Sequence, residues 1–150
     1  MTNDPEETRR LGAKIGELLR PGDVVLLRGG LGSGKTTLVQ GLAYGLGIRE
    51  PVTSPTFTLV HEYRGLVPLI HLDPYRLENP VEVAALGFDE LLERPAALVV
   101  EWSERLGEVA PAERLEIDME TIAESIRRIT LTAVGGHYEH VVLDMGPPSC

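Results

Sequence analysis

The sequence has a single cysteine, no long apolar run and few aromatic residues. Cys150 is the only cysteine in the 150 residues, so no disulfide can form within the chain, which suits a reducing compartment. No apolar run approaches the length that crosses a membrane, and the acidic first seven residues are unlike a secretory signal peptide. We therefore expect a cytoplasmic protein.

Basic residues are also scarce, and the formal net charge is −9. Strong binding to nucleic acid depends on many Lys and Arg contacts to phosphate, so we do not expect this chain to bind DNA or RNA strongly by itself. A local basic patch remains possible, and its candidates are Arg28, Lys35, Arg64 and Arg76. The length and the 43% hydrophobic content predict one soluble domain over residues 1–150.

Glycine, by contrast, is concentrated in residues 29–36, which read GGLGSGKT and fit the phosphate-loop pattern G-x-x-x-x-G-K-[ST]. Glycines lack Cβ atoms, so successive backbone N–H groups can turn inward around an anion. Lys35, one of only two lysines, supplies a compact charge, and the Thr36 hydroxyl is suited to Mg²⁺. We assign the phosphate contacts to Leu31, Gly32, Ser33, Gly34, Lys35, Thr36 and Thr37. The alternative, a glycine-rich turn with an incidental Lys-Thr pair, does not account for the predicted strand before the loop and helix after it.

Hydrophobic periodicity predicts an α/β protein with a mainly parallel sheet. The predicted helices are 8–19, 37–46, one or two in 81–93, and a short helix or turn at 103–109. The predicted strands are 24–28, 58–63, 66–73, 96–100, 115–119 and 127–133. This order of strands predicts two hairpins, at residues 58–73 and 115–133. We expect residues 133–150 to form an irregular tail, because glycine and proline are frequent there.

Two predicted strands end on a carboxylate, at Asp73 and at Glu101. A metal ion bridging the β- and γ-phosphates needs oxygen ligands beyond Thr36, and ligands in α/β sheets bind beyond the carboxyl ends of strands. At least one of these acids is therefore expected to be functional, the alternative being a solvated strand end. The hydroxyl-rich segment Ser54-Pro55-Thr56 is either a phosphate-sensing switch or the entry of a strand.

Four segments occur in order in this short chain: GGLGSGKTT, VTSPTFTLVHEY, HLDPYR and VVEW. Together they resemble the bacterial TsaE family, the small ATPase of tRNA threonylcarbamoyladenosine biosynthesis. The resemblance extends from about residue 8 to residue 133. It implies a three-layer P-loop NTPase fold with a mainly parallel central sheet and peripheral antiparallel hairpins.

The resemblance also implies a function and a set of site residues. Family members bind ATP with Mg²⁺, hydrolyse it slowly alone, and work with TsaD and TsaB, so that tRNA is met only through the complex. The ATPase resets that complex between turnovers. By position, Thr36 and Glu101 would hold the metal, Asp73 and Lys35 would be catalytic, and Thr8 would touch the nucleotide. Switch or partner roles would fall to Ser54, Pro55, Thr56, Tyr75, Arg76 and Trp102.

The sequence departs from the family pattern at three places. Gly30 replaces the acid of the usual G-D-L-G loop, Pro74 stands where an apolar residue is common, and Ser103-Glu104 replaces a proline-led pair. Two other functions use the same loop: a small-molecule kinase, which usually has an arginine-bearing lid that we do not find here, and a nucleotide-dependent binding module with negligible hydrolysis.

Overall fold

The computed structural model describes residues 2–29, 34–49, 60–72, 93–101 and 113–144. In chain order the elements are α1 (Pro5–Leu18), β1 (Val24–Gly29), α2 (Lys35–Gly45), β2 (Val60–Tyr63), β3 (Leu69–Leu72), β4 (Ala97–Glu101), β5 (Arg114–Thr121), β6 (Arg127–Val134), a 3-10 turn (Gly136–Tyr138) and α3 (Glu139–Asp144). The predicted helices at 81–93 and 103–109 lie outside these ranges, except for residue 93, which is in a turn. Among the described helices, none is long and apolar enough to cross a bilayer.

The six described strands form one sheet in the order β2-β3-β4-β1-β5-β6. The three central pairings, β3 with β4, β4 with β1, and β1 with β5, are parallel. The two outer pairings, β2 with β3 and β5 with β6, are antiparallel hairpins. The prediction of a mainly parallel sheet with peripheral antiparallel hairpins is therefore confirmed.

The burial of each strand follows its hydrophobic pattern. In β1 and β4 consecutive apolar residues are buried on both faces, as parallel strands inside an α/β protein require. In β5 buried and half-buried residues alternate from Arg114 to Met119, so only one face contacts the core. β3 begins at Leu69 and not at the predicted residue 66; Pro68 before it has no N–H for the ladder.

Helices α1 and α2 pack unusually closely because glycines line their contact. A Cβ built on Gly12 would lie 2.4 Å from the Leu38 carbonyl oxygen, and one on Gly41 would lie 2.1 Å from the Arg9 carbonyl oxygen. Gly45 meets the Ala13 carbonyl in the same way. The contacts pair residue 9 with 41 and residue 13 with 45, so the two helices run in the same direction.

Helix α1 begins at Pro5, three residues before the predicted start at residue 8. The Asp4 carboxylate accepts a hydrogen bond from the Glu7 N–H at 2.8 Å, and Pro5 occupies the first turn, where its missing N–H costs nothing. The sequence-based boundary was wrong because the polar cap precedes the first apolar residue of the helix. Thr8 consequently lies in the second turn of α1.

The C-terminal segment was predicted to be irregular from residue 133, and this was wrong for residues 133–144. Strand β6 continues to Val134, and residues 136–144 form the 3-10 turn and α3. The Tyr138 hydroxyl accepts a hydrogen bond from the Val24 N–H at 2.7 Å, and the His137 Nε2 lies 2.8 Å from an Asp23 carboxylate oxygen. Burial raises the pKa of Tyr138 to about 12. These contacts hold the segment in regular structure against the start of β1.

Substituting Gly41 by Ala should destabilise the protein, because the new methyl group would overlap the backbone of α1. We expect the free energy of unfolding to fall by about 1–3 kcal/mol, the usual cost of overpacking. Urea denaturation measures it. Gly136→Ala is the matched control, since a Cβ there meets nothing within 4 Å. Equal stability of the two variants would show that the helices can separate without cost.

Candidate functional site

The start of α2 is fixed by a glycine in a left-handed conformation. Gly34, the helix N-cap, has φ 95° and ψ 19°, which residues with a Cβ rarely adopt. The side chain of Met119 lies 3.5 Å from the position that a Cβ on Gly34 would take, so β5 packs against this turn. The second motif glycine is therefore required by backbone conformation.

The N-terminus of α2 offers backbone donors and a positive dipole end. The first bond of the helix runs from the Leu38 N–H to the Gly34 carbonyl at 3.0 Å, so the N–H groups of residues 35–37 have no acceptor within the helix. Lys35, Thr36 and Thr37 are partly exposed there. Donors of this kind at a helix N-terminus bind anions such as phosphate.

Glu101 lies at the carboxyl end of β4, next to the strand that leads into the loop. Its Cα pairs with Leu27 of β1, two residues before β1 ends at Gly29. Leu27 and Val99, which share its face of the sheet, pack with α2 residues in the hydrophobic core, so the Glu101 carboxylate lies on the α2 side. The residue is only 4% exposed. The structure thus places a buried carboxylate where the sequence predicted a functional strand end.

A second polar residue, His71 of β3, contacts this carboxylate. The His71 Nε2 lies 3.0 Å from a Glu101 carboxylate oxygen, and His71 is fully buried. We did not predict a role for His71 from the sequence. The available signal was a polar residue inside the apolar run Leu69–Leu72, at a position whose side chain faces the core.

Arg28, a candidate for the basic patch, is paired with acids of the neighbouring strand. Its guanidinium lies 2.8 Å from Asp118 and 3.3 Å from Glu116, both on β5. Two carboxylates compensate this charge, so Arg28 is less suited to bind phosphate than Lys35 at the start of α2. The sequence could not reveal this, because 88 residues separate Arg28 from Glu116.

Thr8 is buried at 3% exposure, and its hydroxyl lies 2.7 Å from the Thr2 hydroxyl. Residue 9 of α1 packs against residue 41 of α2. Thr8 of α1 therefore lies level with a point on α2 that is about one and a half helical turns beyond Lys35. Its contact with a nucleotide stays a prediction. So do the roles of residues outside the described ranges: Leu31, Gly32, Ser33, Ser54, Pro55, Thr56, Asp73, Tyr75, Arg76 and Trp102.

A strand, a G-x-x-x-x-G-K-T loop and a helix on a mostly parallel sheet define the P-loop NTPase fold, a fold of nucleotide-binding proteins. Residues 2–129 match the family described as "Threonylcarbamoyl adenosine biosynthesis protein TsaE". The chain belongs to the TsaE family. The resemblance read from the sequence is therefore confirmed.

Individual relatives agree with this assignment. The tRNA threonylcarbamoyladenosine biosynthesis protein TsaE of Bacillus subtilis is 45% identical over 92% of this chain and 87% of its own length. The protein of the same name from Treponema pallidum is 40% identical over 87% of this chain and 97% of its own. The crystal structure of Bacillus subtilis YdiB matches 96% of this chain and 90% of its own, with a TM-score of 0.83 and 39% identity.

Substituting Gly34 by Ala should weaken nucleotide binding, because the backbone turn that aims the α2 N–H groups would relax. Losing one hydrogen bond to a charged phosphate costs about 1.5–3 kcal/mol, or about 10–150-fold in the Kd for ADP. Titration calorimetry with ADP measures it.

Gly22→Ala is the matched control, since Gly22 has φ 92° in an open turn and a Cβ there meets nothing within 4 Å. Both variants should lose about 1–2 kcal/mol of unfolding free energy from the left-handed conformation. Only Gly34→Ala should lose ADP affinity. A normal ADP affinity in Gly34→Ala would contradict the role of this turn.

Proposed function

We propose that this protein is a Mg²⁺-dependent ATPase that acts with TsaD and TsaB in forming threonylcarbamoyladenosine in tRNA. The observation that carries the proposal is the pairing of β1 with β4. It sets the buried Glu101 carboxylate beside the strand that enters the glycine loop, on the face that packs against α2. Membership of the TsaE family supports the pathway. We propose that it works in the cytoplasm and meets tRNA only through its partners.

The phosphate contacts follow from the start of α2. The N–H groups of residues 35–37 and the Lys35 ammonium would bind the β- and γ-phosphates, together with Leu31, Gly32, Ser33 and Gly34. Preorganised donors of this kind stabilise charge that grows during phosphoryl transfer without having to reorient. Catalysis by Lys35 is therefore mainly electrostatic.

Oxygen donors near the loop fit Mg²⁺, which is a hard cation and is usually held by one or two protein oxygens besides phosphate and water. The Thr36 hydroxyl, in the first turn of α2, and the Glu101 carboxylate would hold it. When bound, Mg²⁺ neutralises charge on the β- and γ-phosphates. Gly30 leaves the loop without the family's usual acid, so Glu101 and Asp73 would carry more of this role.

Two further parts of the proposal concern turnover. Asp73, which directly follows Leu72 of β3 in the sequence, would orient the attacking water. Ser54, Pro55 and Thr56 would respond to the γ-phosphate, and Tyr75, Arg76 and Trp102 would contact a partner or support the site. Turnover alone would be slow, and hydrolysis would reset the TsaD–TsaB complex between rounds of modification.

Asp73→Asn should lower phosphate release by about 10²–10⁴-fold, the usual contribution of a group that positions or takes a proton, while ADP affinity stays within about twofold. Phosphate release and ADP calorimetry measure the two effects. Glu120→Gln, an exposed carboxylate 3.5 Å from Arg128, is the control and should release phosphate normally. Unchanged release in Asp73→Asn with normal binding would favour a binding module without functional hydrolysis.

Purified TsaD and TsaB, added together, should raise the rate of ATP hydrolysis by this protein. A partner that supplies an arginine to the γ-phosphate typically contributes about 10³-fold or more, whereas ordering of Ser54–Thr56 alone would contribute less. Phosphate release with each partner separately and with both together distinguishes the active combination. An unchanged rate with both partners would count against a partner-dependent ATPase.

A further inference from the structure

We infer that His71 is a positioning residue for Glu101: it holds the carboxylate in the orientation that accepts a divalent cation. The inference deepens the proposed function and rests on its assignment of Glu101 as a metal ligand. It starts from the 3.0 Å contact between the His71 Nε2 and a Glu101 carboxylate oxygen.

The register of the sheet produces this contact. His71 pairs with Val99, and Glu101 follows Val99 by two residues, so both side chains lie on one face as diagonal neighbours on adjacent strands. A carboxylate that ligates a metal is ionised and only accepts hydrogen bonds, so Nε2 is the nitrogen that carries the proton. One carboxylate oxygen is then occupied by His71, and the other is left for the cation.

The second ring nitrogen of His71 adds no hydrogen bond to this pair within the described part of the chain. The His71 Nδ1 is buried and has no hydrogen-bond partner among the described residues. A buried polar atom without a partner costs about 1–3 kcal/mol. Apolar residues of similar volume usually serve stability as well as a buried polar pair does, or better. Stability alone therefore does not account for this buried polar pair, and a functional role does.

The neighbouring histidine does not share this role. His61 of β2 lies directly opposite His71, but its Nδ1 is 3.1 Å from the Tyr63 hydroxyl. Carboxylate ligands of metals are commonly oriented by such hydrogen-bonding partners, and losing the partner typically costs about 10–100-fold in metal affinity. His71 is in the position to be that partner.

The test compares His71→Gln with His71→Asn. The Gln side chain is one methylene longer, so its amide N–H reaches the place of Nε2, whereas the Asn amide falls short. Mn²⁺, which prefers the same oxygen ligands as Mg²⁺, is titrated into each protein–ADP complex and followed by electron paramagnetic resonance. Calorimetry with ADP in EDTA checks that metal-free nucleotide binding is intact, and urea denaturation checks folding.

The Mn²⁺ Kd should rise about 10–100-fold in His71→Asn and stay within about twofold of wild type in His71→Gln. Glu101→Gln is the reference variant. The double variant, which carries both His71→Asn and Glu101→Gln, should bind Mn²⁺ no worse than Glu101→Gln alone. If His71→Asn binds Mn²⁺ normally while Glu101→Gln does not, Glu101 remains a ligand and the role of His71 is overturned. An equal loss in His71→Gln and His71→Asn overturns it as well.

If Glu101→Gln binds Mn²⁺ normally, the metal role in the proposed function fails, and the role of His71 fails with it. Should His71→Asn not fold, the wild-type protein provides a second measurement. With ¹⁵N-labelled histidine, adding Mg²⁺ to the ADP complex should shift the His71 Nε2 resonance, while those of the distant His137 and His140 stay in place. A His71 resonance that does not respond to Mg²⁺ overturns the inference.

Discussion

The parallel pairing of β1 with β4 is the constraint on which the rest of the site depends. It places Leu27 opposite Glu101, so the carboxylate lies beside the strand that enters the glycine loop. Because β4 also pairs with β3, the same strand brings Glu101 within 3.0 Å of His71. A shift of one residue in either pairing would turn these side chains to opposite faces of the sheet. The site is thus a consequence of strand register.

Helix packing determines how the α2 N-terminus is presented. Glycines 12, 16, 41 and 45 let α1 and α2 approach until backbone meets backbone, which fixes α2 against α1 from Leu38 to Gly45. The C-terminal segment adds a second support at the other end of β1, where the Tyr138 hydroxyl accepts a hydrogen bond from the Val24 N–H. The strand before the loop and the helix after it are therefore both rigidly held. A rigid frame is what preorganised phosphate donors require.

The charges of the chain are distributed in agreement with this arrangement. The protein is acidic overall, yet Glu116 and Asp118, the acids of β5 next to β1, are paired with Arg28, and the Glu101 carboxylate is hydrogen-bonded to His71. Lys35 at the start of α2 is partly exposed and adds its charge to the positive end of the helix dipole. A phosphate group approaching α2 thus meets donors and a cation even though the net charge is −9.

The sequence by itself determined the glycine loop, the strand and helix on either side of it, both hairpins and the TsaE family. These are local patterns, because turn glycines, apolar runs and alternation act over a few residues. It misplaced the start of α1, which the Asp4 cap decides, and it missed the 3-10 turn and helix at residues 136–144, which the Tyr138 contact holds against β1. Only the tertiary structure showed that His71 contacts Glu101 and that Arg28 forms ion pairs with acids of β5. Those contacts link residues that are 30 to 90 positions apart in the sequence. The order and register of the strands bring such residues together, and no local sequence pattern specifies either.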